Sequence, residues 1–186
     1  MIMSFANPLG VGLTSDGEYF DIELTEPIAS REAVRRLNEV MAEGMEVISF
    51  VQIPEEKKAT GMAIIEAADY LAIPKGEGGW ITDAQIDAFL SQEEILVMKQ
   101  TKKSEKEVNI RPWILEMKQQ DDDIFLKVLA GSAVNLKPEL VMEAFAGFCG
   151  SGQNAETDFR YHRIENYARK DGTLVPLDAL GTEIVL

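Results

Sequence analysis

The sequence predicts an α+β fold built from two ferredoxin-like β-α-β-β-α-β-type units with antiparallel sheets, the first unit incomplete at its N-terminus. Three observations predict it. Short apolar–polar alternating runs are separated by turn residues, as at Asp16-Gly17 and Asp171-Gly172. Amphipathic helical stretches over 31–45, 83–90 and 137–148 are set between those runs. The order interleaves helices with hairpins, where a parallel sheet would alternate single strands with helices.

Taken in order, residues 5–13 read as a strand with glycine interruptions, and Thr14-Ser15-Asp16-Gly17 is hairpin-turn chemistry. Glu18–Leu24 then alternates, with Phe20, Ile22 and Leu24 on one face. Ser30 is placed to cap a helix over Arg31–Met45, in which Val34, Leu37, Val40 and Met41 share a face. Val47–Ile53 is a β-branched strand closed by Pro54, Glu55–Ala68 a short helix, and Tyr70–Ile73 a strand. The glycines at 76, 78 and 79 make Lys75–Gly79 the boundary. It divides an incomplete first unit over 1–75 from a second over 76–186, or marks the waist of one two-lobed domain.

Beyond it, Thr82 caps a helix over 83–90, Ile95–Met98 is a strand, and the polar run Lys99–Glu107 is an exposed hairpin tip. Val108–Lys118 is extended, because Pro112 bars a helix interior. Asp121, Asp122 and Asp123 lack the alternating spacing and closing glutamate of a calcium loop, which leaves a solvated turn. Ile124–Leu129 is a strand. The helix over 137–148 takes Pro138 in its first turn, and 159–168 with 173–177 closes the chain as a hairpin.

Composition narrows the function. The chain has 186 residues and a net charge of −14. Residues 1–92 carry 16 acids and 6 bases, and residues 93–186 carry 16 acids and 12 bases. Such a surface disfavours nonspecific nucleic-acid binding as a whole. The bases gather in two places: Lys99, Lys102, Lys103, Lys106 and Arg111, then Arg160, His162, Arg163, Arg169 and Lys170 with Tyr161 and Tyr167 interleaved. Each cluster reads as a solvated strand edge or hairpin tip, or as part of one basic binding face. Lys99, Lys102, Lys103, Arg111, Arg160, His162 and Arg163 are the candidate binding residues. No apolar run has the length of a membrane helix and no secretory leader opens the chain, so a cytoplasmic protein is expected.

Catalytic sets are sparse. Cys149 stands alone, and His162, thirteen positions on, is the only histidine that could activate it. Glu18, Asp21 and Glu23 could bring carboxylates together, or simply form an acidic strand face. Gly10-Val11-Gly12 lacks the third glycine and the following helix of a dinucleotide fingerprint. Arg111, before Pro112 and Trp113, can present its guanidinium to an anion or act as an internal clamp. No cofactor and no metal are expected.

The stretch Asn7-Pro8-Leu9-Gly10-Val11-Gly12-Leu13-Thr14-Ser15-Asp16-Gly17-Glu18-Tyr19-Phe20-Asp21-Ile22-Glu23-Leu24 resembles the opening pattern P-L-x-x-G-x-x-S-x-G-E-x-x-D-x-x-L of the radical-SAM-linked protein family. This is a bacterial domain of unknown function, encoded beside or fused to cobalamin-binding radical SAM proteins. Leu37-Asn38, Glu43-Gly44, Ala68-Asp69-Tyr70 and Asn109-Ile110-Arg111-Pro112 agree as well. The resemblance implies a further upstream segment with a strand and an arginine-rich helix. It also implies a noncatalytic accessory role, presenting substrate to a radical SAM partner. With a single cysteine the chain cannot itself hold an iron–sulfur cluster through a three-cysteine motif. The alternatives are an RNA-binding ferredoxin-like domain using the basic patches around 99–111 and 160–170, and an enzyme with carboxylate or thiol chemistry. An incomplete first sheet would expose an unpaired edge, so a homodimer or strand exchange is expected.

Overall fold

The structure, a computed structural model, describes residues 3–53, 60–76, 81–100 and 105–186. Its elements are β1 (Met3–Phe5), β2 (Leu13–Ser15), β3 (Phe20–Ile22), α1 (Ser30–Asn38), α2 (Gly61–Ile64), β4 (Ile65–Pro74) and α3 (Asp83–Leu90). There follow β5 (Leu96–Gln100), β6 (Glu105–Asn109), β7 (Ile114–Gln120), β8 (Asp123–Leu129), α4 (Pro138–Cys149), β9 (Phe159–Lys170) and β10 (Thr173–Pro176). This is an α+β architecture with antiparallel sheets.

The central sheet runs β10-β9-β4-β8-β7. Within it, β4-α3-β7-β8-α4-β9 is a β-α-β-β-α-β unit whose four strands lie in the order last, first, third, second, every neighbouring pair antiparallel. The hairpin β5–β6 is inserted between α3 and β7 and forms its own two-stranded sheet. β4 lies in the middle of the central sheet because small and apolar residues on both its faces suit a strand paired on both edges. Ala68, Tyr70 and Ala72 on one face join Ile86 and Phe89 of α3 and Val141, Met142 and Phe145 of α4 in the core. Phe89 meets Phe145 edge-on with centroids 5.2 Å apart.

Local chemistry explains the ends of these elements. Thr82 and Gln85 form a reciprocal capping box that starts α3. α4 has Pro138 in its first turn and stops at Gly150, whose φ of 62° is left-handed. Asp121, at φ 55°, turns β7 into β8, while Asp171 and Gly172, at φ 52° and 84°, turn β9 into β10. Pro112 sits in a 3-10 turn over Arg111–Trp113 that interrupts the extended run expected over 108–118.

The first third of the chain departs from expectation. Asp16-Gly17 does not close a tight hairpin: β1 pairs with β3, and β2 leaves to run parallel to β9, Leu13–Ser15 opposite Tyr161–Arg163. β2 and β10 thereby share one edge of β9. The expected helix over 31–45 ends at Asn38, whose side chain bonds both the N–H and the C=O of Val47. Ser30 is not its cap: the hydroxyl accepts from the Ile184 N–H instead. The strand expected over 47–53 makes one antiparallel bridge, Gln52 with Thr182, and no ladder. Of the helix expected over 55–68, residues 55–59 lie outside the described residues, 61–64 form α2, and 65–68 belong to β4.

Candidate functional site

β9 carries the most concentrated set of polar contacts, and most of them come from the opening block of the chain. Arg163 is 2% exposed and stands opposite Tyr70 of β4 on the helix-covered face. Its Nη2 donates to both carboxylate oxygens of Glu18 at 2.6 Å and to the main-chain oxygen of Asn7 at 2.7 Å. Ser15 Oγ donates to Glu18 Oε1 at 2.7 Å, which orients the carboxylate. Asn7 Nδ2 donates to Oδ1 of the buried Asn166 at 2.9 Å. Burial pushes the Tyr70 hydroxyl up, opposed by the adjacent Arg163 guanidinium. The buried guanidinium is held by this pairing and by the Asn7 carbonyl, while its Nε has no partner among the described residues and Glu18 keeps one side in solvent.

The other face of β9 is held by the same block. His162 Nε2 lies 3.0 Å from Asp16 Oδ1, and Nδ1 lies 2.8 Å from Thr14 Oγ1. Tyr19 hydrogen-bonds Glu165; burial first, then this carboxylate, raises the phenol, and burial raises Glu165. Asp69, 5% exposed, faces Glu165 across the β4–β9 ladder. It accepts from Tyr167 Oη at 2.7 Å, and Lys127 Nζ is 3.5 Å away and lies over the Tyr167 ring. Desolvation nevertheless wins at Asp69 and raises its pKa.

The residues singled out in the sequence scatter. Lys99 donates to the Asn135 carbonyl at 3.1 Å and lies over the Trp113 ring. Lys102 and Lys103 lie outside the described residues. Arg111 is a clamp: Nε donates to the Leu90 carbonyl at 2.6 Å and Nη1 to Ile114 at 3.3 Å. Arg160 is exposed and faces Asp123 at the start of β8. Asn135 adjoins Leu136, which bonds Leu129 at the end of that strand. Lys99 is therefore held beside the segment that follows β8, whereas Arg160 stands on β9 opposite Ile73 of β4. Arg163 is buried beneath Glu18 and offers no surface charge, because its guanidinium is used inside the fold.

The chemical candidates separate too. Glu18 pairs with Arg163, Asp21 Oδ2 accepts from the Gly61 N–H at 2.7 Å, and Glu23 is exposed. Cys149 ends α4 against the core, its thiol raised by burial, while His162 is engaged by Thr14 and Asp16. Among the described residues no group of three or more His, Cys, Asp or Glu side chains is arranged to hold a metal. No helix among them is long and apolar enough to cross a membrane. Sequence reading passed over Asn7, Tyr70 and Asn166, the polar residues around Arg163. Alternation from Phe159, Tyr161 and Arg163 points to Glu165 as the next core-facing residue, and the register shift between Arg163 and Glu165 turns Asn166 inward instead, so the sequence carried no signal for it.

No curated protein and no solved structure matches the chain. A family model matches residues 1–138 of the 186, a span that includes the whole block laid along β9. The chain therefore belongs to the family described as uncharacterized protein conserved in bacteria, DUF2344.

Proposed function

We propose that this chain is a noncatalytic accessory domain that works alongside a radical SAM enzyme and holds or presents that enzyme's substrate. The observation that supports the reading most is how the polar side chains of the opening block are used. Asn7, Thr14, Asp16, Glu18, Tyr19 and Asp21 each bond another part of the same chain, five of them on β9 through side chains Arg163, His162, Glu165 and Asn166. The block that carries the family resemblance thus builds a rigid scaffold, as a presenting domain requires. The association with radical SAM proteins comes from that resemblance.

The experiment is a pull-down with this chain as bait, probed for a radical SAM protein, followed by turnover assays of that protein with and without the chain. Association together with loss of turnover on omission is the expected result. No association and unchanged turnover would remove the proposal.

A further inference from the structure

We infer that the run Ile48–Val51 is an acceptor edge for an extended segment of another polypeptide in which apolar and basic residues alternate. The inference does not depend on the radical SAM reading. Val47-Ile48-Ser49-Phe50-Val51-Gln52-Ile53 is β-branched and aromatic in composition, contains no charged residue, and reads as a strand. Strands of that kind are normally paired, because unpaired backbone N–H and C=O groups on an apolar run invite association.

Here the ladder begins and stops. Gln52 exchanges both main-chain bonds with Thr182, at 2.8 and 3.0 Å. The chain beyond Thr182 then turns away to α1, where Ser30 and Ile184 bond each other through N–H, carbonyl and hydroxyl. Between the two lies an open groove of about 230 Å³, lined by Ser30, Arg31 and Val34 of α1, by residues 48–51, and by Glu183. Among the described residues, the main-chain groups of 48–51 have no hydrogen-bond partner. Ile48 is 74% exposed, with Met45 at 59% and Val40 at 79% beside it in sequence.

Charge selects the occupant. The groove's own lining carries one cation, Arg31, and one acid, Glu183, and Glu43 and Glu46, exposed in the segment that leads into the run, make its surroundings net acidic on a chain that carries −14 as a whole. A second copy would bring the same net charge to the contact, whereas a segment with lysine or arginine at alternate positions turns cations to that rim and apolar side chains to Ile48, Phe50 and Val34. Main-chain pairing would supply affinity and the alternating side chains specificity, as in strand addition generally.

The probe is a synthetic heptapeptide alternating lysine and valine, added to the full chain, with a glutamate–valine counterpart as control. Hydrogen exchange read by mass spectrometry should show slower exchange over 48–51 with the lysine peptide alone. Ile48→Pro, which removes an N–H from the edge that Gln52 turns to Thr182, should weaken binding by about tenfold or more. Glu46→Lys should weaken it as well while leaving far-UV circular dichroism unchanged, and this second variant covers a folding failure of the first. Equal binding of both peptides, unchanged exchange at 48–51 under saturating peptide, or full binding by both variants would overturn the inference. So would concentration-dependent self-association of the chain that protects the same amides, since the occupant would then be a second copy.

Discussion

Arg163 and Glu18, 145 positions apart in sequence, form an ion pair, buried on the arginine side and open to solvent on the glutamate side, in which one guanidinium nitrogen reaches both carboxylate oxygens at 2.6 Å. The pair joins the opening block to the last long strand. Removing the carboxylate alone leaves a cation stranded at a 2% exposed position. Glu18→Ala should therefore cost about 1–3 kcal/mol of unfolding free energy, below the range for a pair buried on both sides because water reaches Glu18 and can partly replace it. Urea denaturation measures it. Replacing both residues, as Glu18→Leu with Arg163→Met, should cost less than Glu18→Ala; a double variant as unstable as the sum of its singles would contradict the pairing.

Gly131 provides a sharper steric test. Its φ is +129°, and a Cβ there would stand 2.1 Å from the main-chain oxygen of Ile65 at the start of β4. Neither the dihedral nor a backbone neighbour can yield cheaply. Gly131→Ala should destabilise by about 4 kcal/mol or more, in the exceptional range for point substitutions, read as a lowered Tm or loss of soluble protein. Gly147→Ala, where an added Cβ meets nothing within 4 Å, is the matched control and should leave the Tm unchanged or slightly raised.

Asp69 sets a pH dependence. Burial raises its pKa above the ordinary 3.8, against the pull of Tyr167 and Lys127. The folded protein therefore binds this proton more tightly than the unfolded chain does, and stability contributed at the site falls as pH rises from 3.8 through the raised value. Asp69→Asn keeps an acceptor for Tyr167 and removes the buried charge. The variant should equal or exceed the parent in stability at pH 7 and lose that advantage on acidification, as followed by chemical denaturation across the series. A variant markedly less stable at pH 7 would show that the Lys127 contact outweighs desolvation.

Cys149 packs against the core and its thiol is raised by burial. It should react with iodoacetamide at pH 7 more slowly than free cysteine, since the thiolate is the nucleophile. Reaction faster than free cysteine would point to an activated thiol and favour the thiol-chemistry alternative.

The parts of the fold legible in the sequence are those decided locally. Thr82 with Gln85, Pro138 with Gly150, and Asp171-Gly172 are start, stop and turn signals that act within a few residues, and α3, α4 and the β9–β10 hairpin follow from them. The first third was less legible because its partners are remote. Asp16-Gly17 satisfies hairpin chemistry, yet β2 pairs with residues 161–163, a choice made by Thr14, Asp16 and Glu18 meeting His162 and Arg163. A basic cluster on a strand likewise cannot be divided by composition into inward and outward members. Alternation on β9 places Arg163 inward and leaves Arg160 exposed, and only the register with β4 shows which is which.

The bonds that tie residues 7–24 to β9 have a consequence for biosynthesis. A ribosome delivers the chain in order, so this opening stretch emerges long before the strand that will anchor it. Its polar groups must wait in solvent, or with a chaperone, until translation reaches the mid-160s, and Ser30 waits further still for Ile184. Truncation by even a few dozen residues at the far terminus would leave the beginning of the polypeptide, rather than its end, without a place to dock.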